Sequence, residues 1–278
     1  MRVPKPENYS HYGPTIAVGS EDPGLEEDSL LPSPELVEFA LRVLPGIVLL
    51  VASLLLLRKL RDPMGTIAVL ILGFLLLRDT MTPTGLWRLG AADGVAVWVR
   101  MIDDGTTLVL LGFGTLAITG ILLATDARLR DLIHWGRPGP GSVGLGILGG
   151  TLAAAPVLVM VSCWPLSERG GAVSIGILPA LLFFALAGNL LEEVLFRGLL
   201  QRRLERAVGR IRAVALSAVL FAACHSLLAA SVTDVGWPLL AFTLYEGAIC
   251  ALLAMRFGVV SSTLAHGLAI FLLAAGLI

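Results

Sequence analysis

The sequence predicts an all-α membrane protein, a polytopic transmembrane helical bundle of about eight spans. Of its 278 residues, 56% are hydrophobic and only 15% are charged, whereas a soluble domain is about 45–50% apolar. The apolar residues also fall into eight runs, most of them near the roughly 20 residues that cross a bilayer. These runs are residues 36–57, 64–77, 106–125, 144–161, 173–191 (continuing as a helix to about 204), 211–230, 238–255 and 259–278.

Three other segments precede, interrupt or connect these runs. Residues 1–34 are rich in proline and acidic side chains without apolar periodicity, so we expect a disordered acidic tail. This tail lacks the basic start of a cleaved signal peptide, and the first run is therefore predicted to be retained. The second run is the least clear, because Arg78 and Asp79 cut it short. Residues 86–101 are too polar to span, and we expect them to lie along the membrane interface.

A run of glycine and proline at residues 136–141 marks the clearest internal boundary. It separates N-terminal transmembrane helices at residues 35–135 from a C-terminal core at residues 142–278. We find no inverted pair of interrupted helices, which weakens a transporter interpretation.

Basic residues predict the orientation of the bundle. Twelve of the twenty lysines and arginines fall in one alternate set of connections, including five arginines between Arg202 and Arg212. Basic connections stay in the cytoplasm, so this set is predicted to be cytoplasmic and both termini external. No dense basic patch of the kind that nucleic acid requires is present, and nucleic acid is not expected as a partner.

The cysteines give little indication of a site. Cys163, Cys224 and Cys250 have no paired short spacing, so neither a disulfide framework nor a zinc ribbon is indicated. Cys224 precedes His225, but adjacent helical residues point about 100° apart. We therefore interpret Cys224 as a small buried thiol.

Three charged residues lie inside the fifth predicted helix. An ionisable group there costs about 3 kcal/mol or more and usually faces the bundle interior or a wet cavity. Glu193 and Arg197 are four residues apart and share one face, where they can pair. Glu192 points elsewhere and is the freer carboxylate. A structural ion pair would explain two of the charges but not the third.

Two of the four histidines, His225 and His266, also lie inside predicted spans. Counting along each helix from the basic markers places Glu192, His225 and His266 about 15–20 Å from the predicted cytoplasmic side. A lone intramembrane histidine is more often a satisfied core residue. Together, at one depth on three helices, these residues indicate a site. Glu246 lies at a similar depth, either in that site or bonded to a neighbouring helix.

The order of these residues resembles the motifs of the CAAX protease and bacteriocin-processing family of intramembrane proteases, which includes the type II CAAX prenyl endopeptidases. The resemblance covers about residues 144–278 and implies a multi-pass protein that we expect in a bacterial plasma membrane. It also implies, as a substrate, a membrane-associated peptide or protein, with or without a prenyl chain. The motifs, in chain order, are Glu192-Glu193-x-x-x-Arg197, Phe221-x-x-x-His225 and His266.

The chemistry of peptide hydrolysis suggests a role for each residue. It requires a water at depth, a base to activate it and a donor for the tetrahedral oxyanion. Glu192 would be the base, and His225 would orient the same water. Glu193 would be held by Arg197, while His266 would stabilise the developing charge. The resemblance implies the same assignment.

The sequence departs from the family at one position. The family usually has Asn or another polar residue four positions after the last histidine, where this chain has Ile270. An asparagine there would help to hold a reacting oxygen. Either another donor, such as Asn189, Ser226 or a backbone group, replaces it, or activity is weakened.

The need for a metal is left open by the sequence. Two histidines and a carboxylate form an acceptable catalytic zinc set, but the His-Glu-x-x-His spacing of common zinc proteases is absent. The family has been described both as metalloproteases and as glutamate-dependent proteases without metal. We favour the metal-free form, with a divalent metal such as zinc as the alternative and no other cofactor.

Two other classes of function are compatible with the same residues. Buried Glu and His also build the proton relays of transporters, and a non-catalytic scaffold could keep the motif for folding. A protease needs Glu192 and His225 near one water in a cavity open to one side, which we predict to be the cytoplasmic side. A carrier needs a path that reaches both sides.

Overall fold

The structure is a computed structural model that describes residues 32–60, 63–137, 139–233 and 235–277. The predicted acidic tail, residues 1–34, lies almost entirely outside this part of the chain. The described residues form helices and one β-hairpin, which confirms the predicted all-α helical bundle. The elements are α1 (Pro34–Leu60), α2 (Pro63–Thr80), β1 (Trp87–Ala92), β2 (Ala96–Met101), α3 (Gly105–Thr125), α4 (Ala127–Arg130), α5 (Pro140–Val161), α6 (Leu178–Glu193), α7 (Arg202–Val208), α8 (Arg210–Ala223), α9 (Trp237–Phe257) and α10 (Val259–Ala274).

Four short helical segments complete the described chain. Two are single 3₁₀ turns before α6, and two are π-helical segments that follow α6 and the end of α8. The π-helical segment after α6 joins that helix to α7 without a break. The bounds are Leu166–Glu168 and Ile175–Ile177 for the 3₁₀ turns, and Val194–Gln201 and Leu228–Val232 for the π-helical segments.

Seven helical stretches among the described residues are long and apolar enough to cross a membrane, and they coincide with the first seven predicted runs, including the second. The eighth run forms the shorter apolar helix α10, of 16 residues. The seven stretches are Pro34–Leu57, Pro63–Thr80, Gly105–Thr125, Pro140–Val161, Ile175–Val208, Arg210–Val232 and Trp237–Phe257.

An antiparallel hairpin is formed by β1 and β2. The sequence analysis predicts no secondary structure for this segment, residues 86–101. β1 pairs with β2 from Trp87 opposite Met101 to Ala92 opposite Ala96. The turn contains Asp93 and Gly94, both at positive φ. An Asp-Gly pair between two apolar runs is a hairpin signal that the sequence analysis did not use.

Arg100 ties this hairpin to the end of the bundle. Its side chain donates to the carbonyl oxygens of Leu273 on α10, at 2.9 Å, and of Gly171, at 3.0 Å. Arg100 is 3% exposed. The hairpin is therefore packed onto the end of α10.

Small residues bring α10 close to α5. A Cβ atom at Gly150 would lie 2.6 Å from the carbonyl oxygen of Ala265, and one at Gly146 would lie 2.9 Å from that of Ser261. Small residues let membrane helices approach this closely. Since α10 also packs on α6, this contact sets His266 beside the carboxylates of α6.

One set of buried apolar residues lies on the α7 side of Glu193, and we call it the π-segment cluster. It packs around the π-helical segment Val194–Gln201, which lies between Glu193 and α7. Its buried members are Ile67, Ile71, Leu122, Leu129, Ile133, Leu191, Val194, Leu195, Phe196, Leu199, Leu200, Phe221 and Val259.

Candidate active site

The structure brings the five predicted site residues together inside the bundle. Their exposed fractions are 7% or less. They lie on three parts of the chain: α6 with its π-helical continuation, the turn after α8, and α10. In chain order they are Glu192, Glu193, Arg197, His225 and His266.

Glu193 has two close partners, an arginine and a histidine. Arg197 Nη1 lies 3.0 Å from Glu193 Oε1, so the predicted ion pair is present. His266 Nδ1 also lies 3.0 Å from this oxygen, and we assign the proton of that bond to the histidine because a paired carboxylate accepts. Arg197 further donates to the carbonyl oxygen of Gly247 at 3.2 Å and lies 4.1 Å over the ring of Phe221. Glu193 therefore positions its neighbours.

Glu192 faces the polar centre without a direct hydrogen bond to Oε1 among the described residues. Its Oε1 lies 4.0 Å from His225 Nε2, and its Oε2 lies 3.9 Å from His266 Nε2. Such separations exceed a hydrogen bond but allow one oxygen atom to bridge the two groups. The separation of Glu192 and His225 is thus within the predicted range.

Both ring nitrogens of His225 have partners. Nδ1 lies 2.8 Å from the carbonyl oxygen of Phe221, and Nε2 lies 2.9 Å from Nη1 of Arg78. A guanidinium group only donates, so Nε2 accepts and the proton is assigned to Nδ1. His225 is therefore neutral in this arrangement.

Arg78 is the site residue that the sequence analysis missed. It comes from the end of α2, is 6% exposed, and lies 3.8 Å from Glu192 Oε1 through Nη1. Its Nε donates to Asp79 at 2.7 Å, and its Nη2 donates to the carbonyl oxygen of Cys224 at 2.9 Å. The sequence analysis treated Arg78 only as the end of a span. A buried Arg-Asp pair in a span is itself a signal of a site.

Glu246, on α9, joins the same cluster. It is 1% exposed, and its Oε2 lies 3.6 Å from His266 Nε2. Of the two interpretations left open by the sequence, membership of the site is the one that this contact supports. Three carboxylates, those of Glu192, Glu193 and Glu246, thus lie within 3.9 Å of His266.

The alternative donors for a reacting oxygen differ in their placement. Asn189 lines the cavity, but its amide nitrogen donates to the carbonyl oxygen of Ala185 at 2.6 Å. Ser226 is exposed and does not line the cavity, whereas Ile270 does. The wall one helical turn after His266 is therefore apolar.

A cavity of about 420 Å³ leads to the charged residues. Its wall is apolar and comes from α1, α2, the hairpin, α3, α6, α9 and α10, and Glu192, His225, Glu246 and His266 line it as well. Two lining residues, Leu44 on α1 and Leu110 on α3, are 56% and 43% exposed. The cavity therefore reaches the lateral surface of the bundle.

This cavity does not extend toward the arginine-rich side, from which access was predicted. The cavity extends from Glu192 toward the hairpin, and no residue from Glu193 to Cys224 lines it. The space on the α7 side is filled by the π-segment cluster. Depth counts along the helices predict that the site residues lie at one level, but they carry no information on which side of that level is open.

A zinc set made of Glu192, His225 and His266 does not fit this arrangement. Both ring nitrogens of His225 are already bonded. The guanidinium of Arg78, 3.8 Å from Glu192 Oε1, would also repel a cation held there.

A second group of possible metal ligands is Glu193, Cys250 and His266, whose ligand atoms lie within 4.8 Å of one another. Here Glu193 is paired with Arg197 at 3.0 Å, so a metal ion would have to displace or oppose a buried arginine. In both groups, the contacts favour an arginine over a metal ion as the partner of the carboxylate, Arg78 for Glu192 and Arg197 for Glu193.

A known protein family matches part of this chain. Residues 174–272 match the family described as Type II CAAX prenyl endopeptidase Rce1-like, which confirms the resemblance seen in the motifs. The matched segment contains all five predicted site residues, and Arg78 lies outside it. No curated protein and no solved structure matches the chain. The match supports a membrane peptidase of the CAAX protease type.

Proposed function

We propose that this chain, given the Rce1-like segment at residues 174–272, is an intramembrane endopeptidase that uses Glu192 as its base. One observation carries the proposal. Glu192 lines an apolar cavity, and its Oε1, 4.0 Å from His225, has no hydrogen-bond partner among the described residues, while its Oε2 lies 3.9 Å from His266. That is the spacing expected around a water that attacks a peptide carbonyl.

The reaction can be written with these residues alone. Glu192 takes a proton from water as the water oxygen bonds to the carbonyl carbon, and the carbonyl electron pair moves to its oxygen. The C–N bond then breaks, the pair returns, and Glu192 gives its proton to the leaving amine. His266 stabilises the negative carbonyl oxygen through Nε2, the ring nitrogen near Glu192 and Glu246. With Nδ1 donating to Glu193, its Nε2 can donate only when the ring carries both protons.

The cavity suggests the class of substrate. A wall that is almost wholly apolar and reaches the lateral surface suits a chain that arrives from the lipid phase. We propose a peptide or protein bound to the membrane by an apolar segment or a prenyl chain, with its scissile bond at Glu192. The volume falls in the usual range of about 300–1,000 Å³ for small-molecule pockets.

A transporter is a weaker interpretation of the same residues. Its charged groups would need a path to both sides, but the π-segment cluster fills the α7 side of the site. A folding scaffold is weaker as well, since carboxylate oxygens without direct partners, such as those of Glu192 and Glu246, cost stability that no scaffold needs.

Cleavage by the purified protein in liposomes tests the proposal. The substrate is a fluorescent peptide anchored by one apolar helix, in versions with and without a prenylated C-terminal cysteine. Glu192→Gln keeps the shape of the side chain and removes the base, so its rate should fall by about 10²–10⁴-fold. Its melting temperature should stay near that of the wild type.

Glu38→Gln is the matched control, because Glu38 is half exposed on α1, away from the site. It should cleave at the wild-type rate. Undiminished cleavage by Glu192→Gln would place the base elsewhere, with Glu193 and Glu246 the next residues to test. A wild-type protein that cleaves neither version would reject the proposed function.

A further inference from the structure

The proposed reaction develops a negative oxygen inside an apolar cavity, and this oxygen needs a hydrogen-bond donor besides His266. Donors aimed at such an oxygen are often the largest single contribution to catalysis. The wall at Ile270 offers no polar atom, and Asn189 directs one of its two amide N–H groups to its own helix. Ser226 does not line the cavity.

Arg78 has the free donors that this wall lacks. A guanidinium carries five N–H groups, and Arg78 directs one each to Asp79, His225 and the carbonyl oxygen of Cys224. Nη1 and Nη2 each keep one further N–H. Arg78 itself lines the cavity, and Nη1 lies 3.8 Å from Glu192 Oε1. An oxygen reacting beside Glu192 is therefore within reach of Nη1.

The three contacts also hold the guanidinium in place before any substrate binds. Asp79 and Cys224 restrain its orientation, and the His225 ring, itself fixed by the carbonyl oxygen of Phe221, restrains Nη1. Fixed donors are effective because they need no reorganisation when charge develops. Since the one acceptor nitrogen of His225, Nε2, already binds Arg78, it positions Arg78 instead of the attacking water that His225 was predicted to orient.

We propose that Arg78 is a catalytic residue that donates to the tetrahedral oxyanion, in the place where Ile270 leaves no donor. The inference rests on the proposed endopeptidase function. Arg78 gives no proton away: it donates a hydrogen bond while the carbonyl oxygen is negative and loses it when the C–N bond breaks. The active site then spans two parts of the chain, because α2 lies outside the segment at residues 174–272.

Binding of a tetrahedral mimic tests this role apart from turnover. A peptide phosphinate carries a negative oxygen at the reacting position, and the matched amide peptide does not. In Arg78→Ala, affinity for the phosphinate should fall by about 10²-fold or more, while affinity for the amide, measured in the Glu192→Gln background, should change little. The value of kcat should fall similarly with little change in KM.

Restoring a donor at position 270 is the second measurement. The double variant Arg78→Ala with Ile270→Asn should recover at least tenfold in phosphinate affinity and in kcat relative to Arg78→Ala. The single variant Ile270→Asn reports what the amide adds when Arg78 is present. Arg42→Ala, on exposed α1, is the control for losing an arginine.

Each outcome decides between a catalytic and a structural Arg78. Equal loss of phosphinate and amide binding, or no loss of either, would overturn the inference while leaving the endopeptidase in place. The inference would also be overturned if the double variant had the same phosphinate affinity and kcat as Arg78→Ala. If Arg78→Ala does not fold, Arg78→Lys provides the comparison, with a smaller loss confined to the phosphinate. A wild-type protein that neither cleaves nor binds these peptides would overturn both proposals.

Discussion

Arg197 stabilises the buried carboxylate of Glu193. It pairs with Glu193, donates to the carbonyl oxygen of Gly247 and lies over Phe221. Arg197→Ala leaves Glu193 buried without its arginine, and removing one member of a buried pair costs about 3–5 kcal/mol. The variant should therefore give less folded protein and a lower melting temperature in detergent, besides losing activity.

Arg42→Ala gives the comparison for that experiment. Arg42 pairs with Glu38 at the exposed surface of α1, where an ion pair is worth about 0–1 kcal/mol. Its melting temperature should stay close to the wild type. Equal melting temperatures for Arg197→Ala and Arg42→Ala would show that Arg197 is not a structural partner.

Metal removal tests the interpretation of the carboxylates. Because Arg78 and Arg197 lie beside Glu192 and Glu193, dialysis against a chelator such as EDTA should change neither the cleavage rate nor the melting temperature. Loss of cleavage that returns on adding Zn²⁺ would contradict a metal-free site. Mutation of Cys250 to Ser would then show whether the group with Glu193 and His266 holds the ion.

Local spacing explains which site residues could be predicted from the sequence. Glu193 and Arg197 pair because residues four apart share a helix face, and the chain alone contains that information. Arg78 and Glu246 reach the site only because α2 and α9 pack beside α6, α8 and α10. Arg78 meets Glu192 across 114 residues and Glu246 meets His266 across 20, and no local pattern links the members of either contact.

At the scale of elements, close packing of α5 on α10 is the contact that places His266. Gly150→Ala would put a Cβ atom 2.6 Å from the backbone oxygen of Ala265, which cannot move aside as a side chain can. Overpacking of this kind costs about 1–3 kcal/mol, and the melting temperature should fall.

Gly144→Ala is the matched change on the same helix, since a Cβ atom there would have no neighbour within 4 Å. Alanine is favoured over glycine in a helix by about 1 kcal/mol, so this variant should melt at or above the wild-type temperature. The account of α5 packing fails if the two variants shift the melting temperature alike.

The π-helical segment after Glu193 and the hairpin differ in how much the sequence reveals. The apolar run predicted a continuous helix to about residue 204, and the chain is indeed helical there, but no sequence signal marked its π-helical part at Val194–Gln201. The hairpin did have a signal, Asp93-Gly94. Because residues 86–101 are too polar to span, the sequence analysis predicts an interfacial segment there instead.

At the scale of the whole molecule, the orientation in the membrane stays a prediction. Five arginines between Arg202 and Arg212 place that connection in the cytoplasm. In a variant without native cysteines, Arg206→Cys should therefore react with a membrane-impermeant thiol reagent only after the membrane is permeabilised. Labelling from outside in intact cells would reverse the topology.

The fold class was predictable because eight apolar runs leave few alternatives in a bilayer. The direction of the cavity was not, because it depends on how side chains fill each half of the bundle. The π-segment cluster fills one half and leaves the hairpin half open. If the predicted orientation holds, the cavity faces away from the cytoplasm.

The most direct test of Glu192-dependent proteolysis is mass spectrometry of new protein termini in cells. Membranes from cells expressing the wild type, Glu192→Gln or Glu38→Gln at equal levels are compared. The account predicts one or more termini of membrane-associated proteins that appear with the wild type and Glu38→Gln and are absent with Glu192→Gln. The same termini in all three samples, at equal abundance, would contradict it.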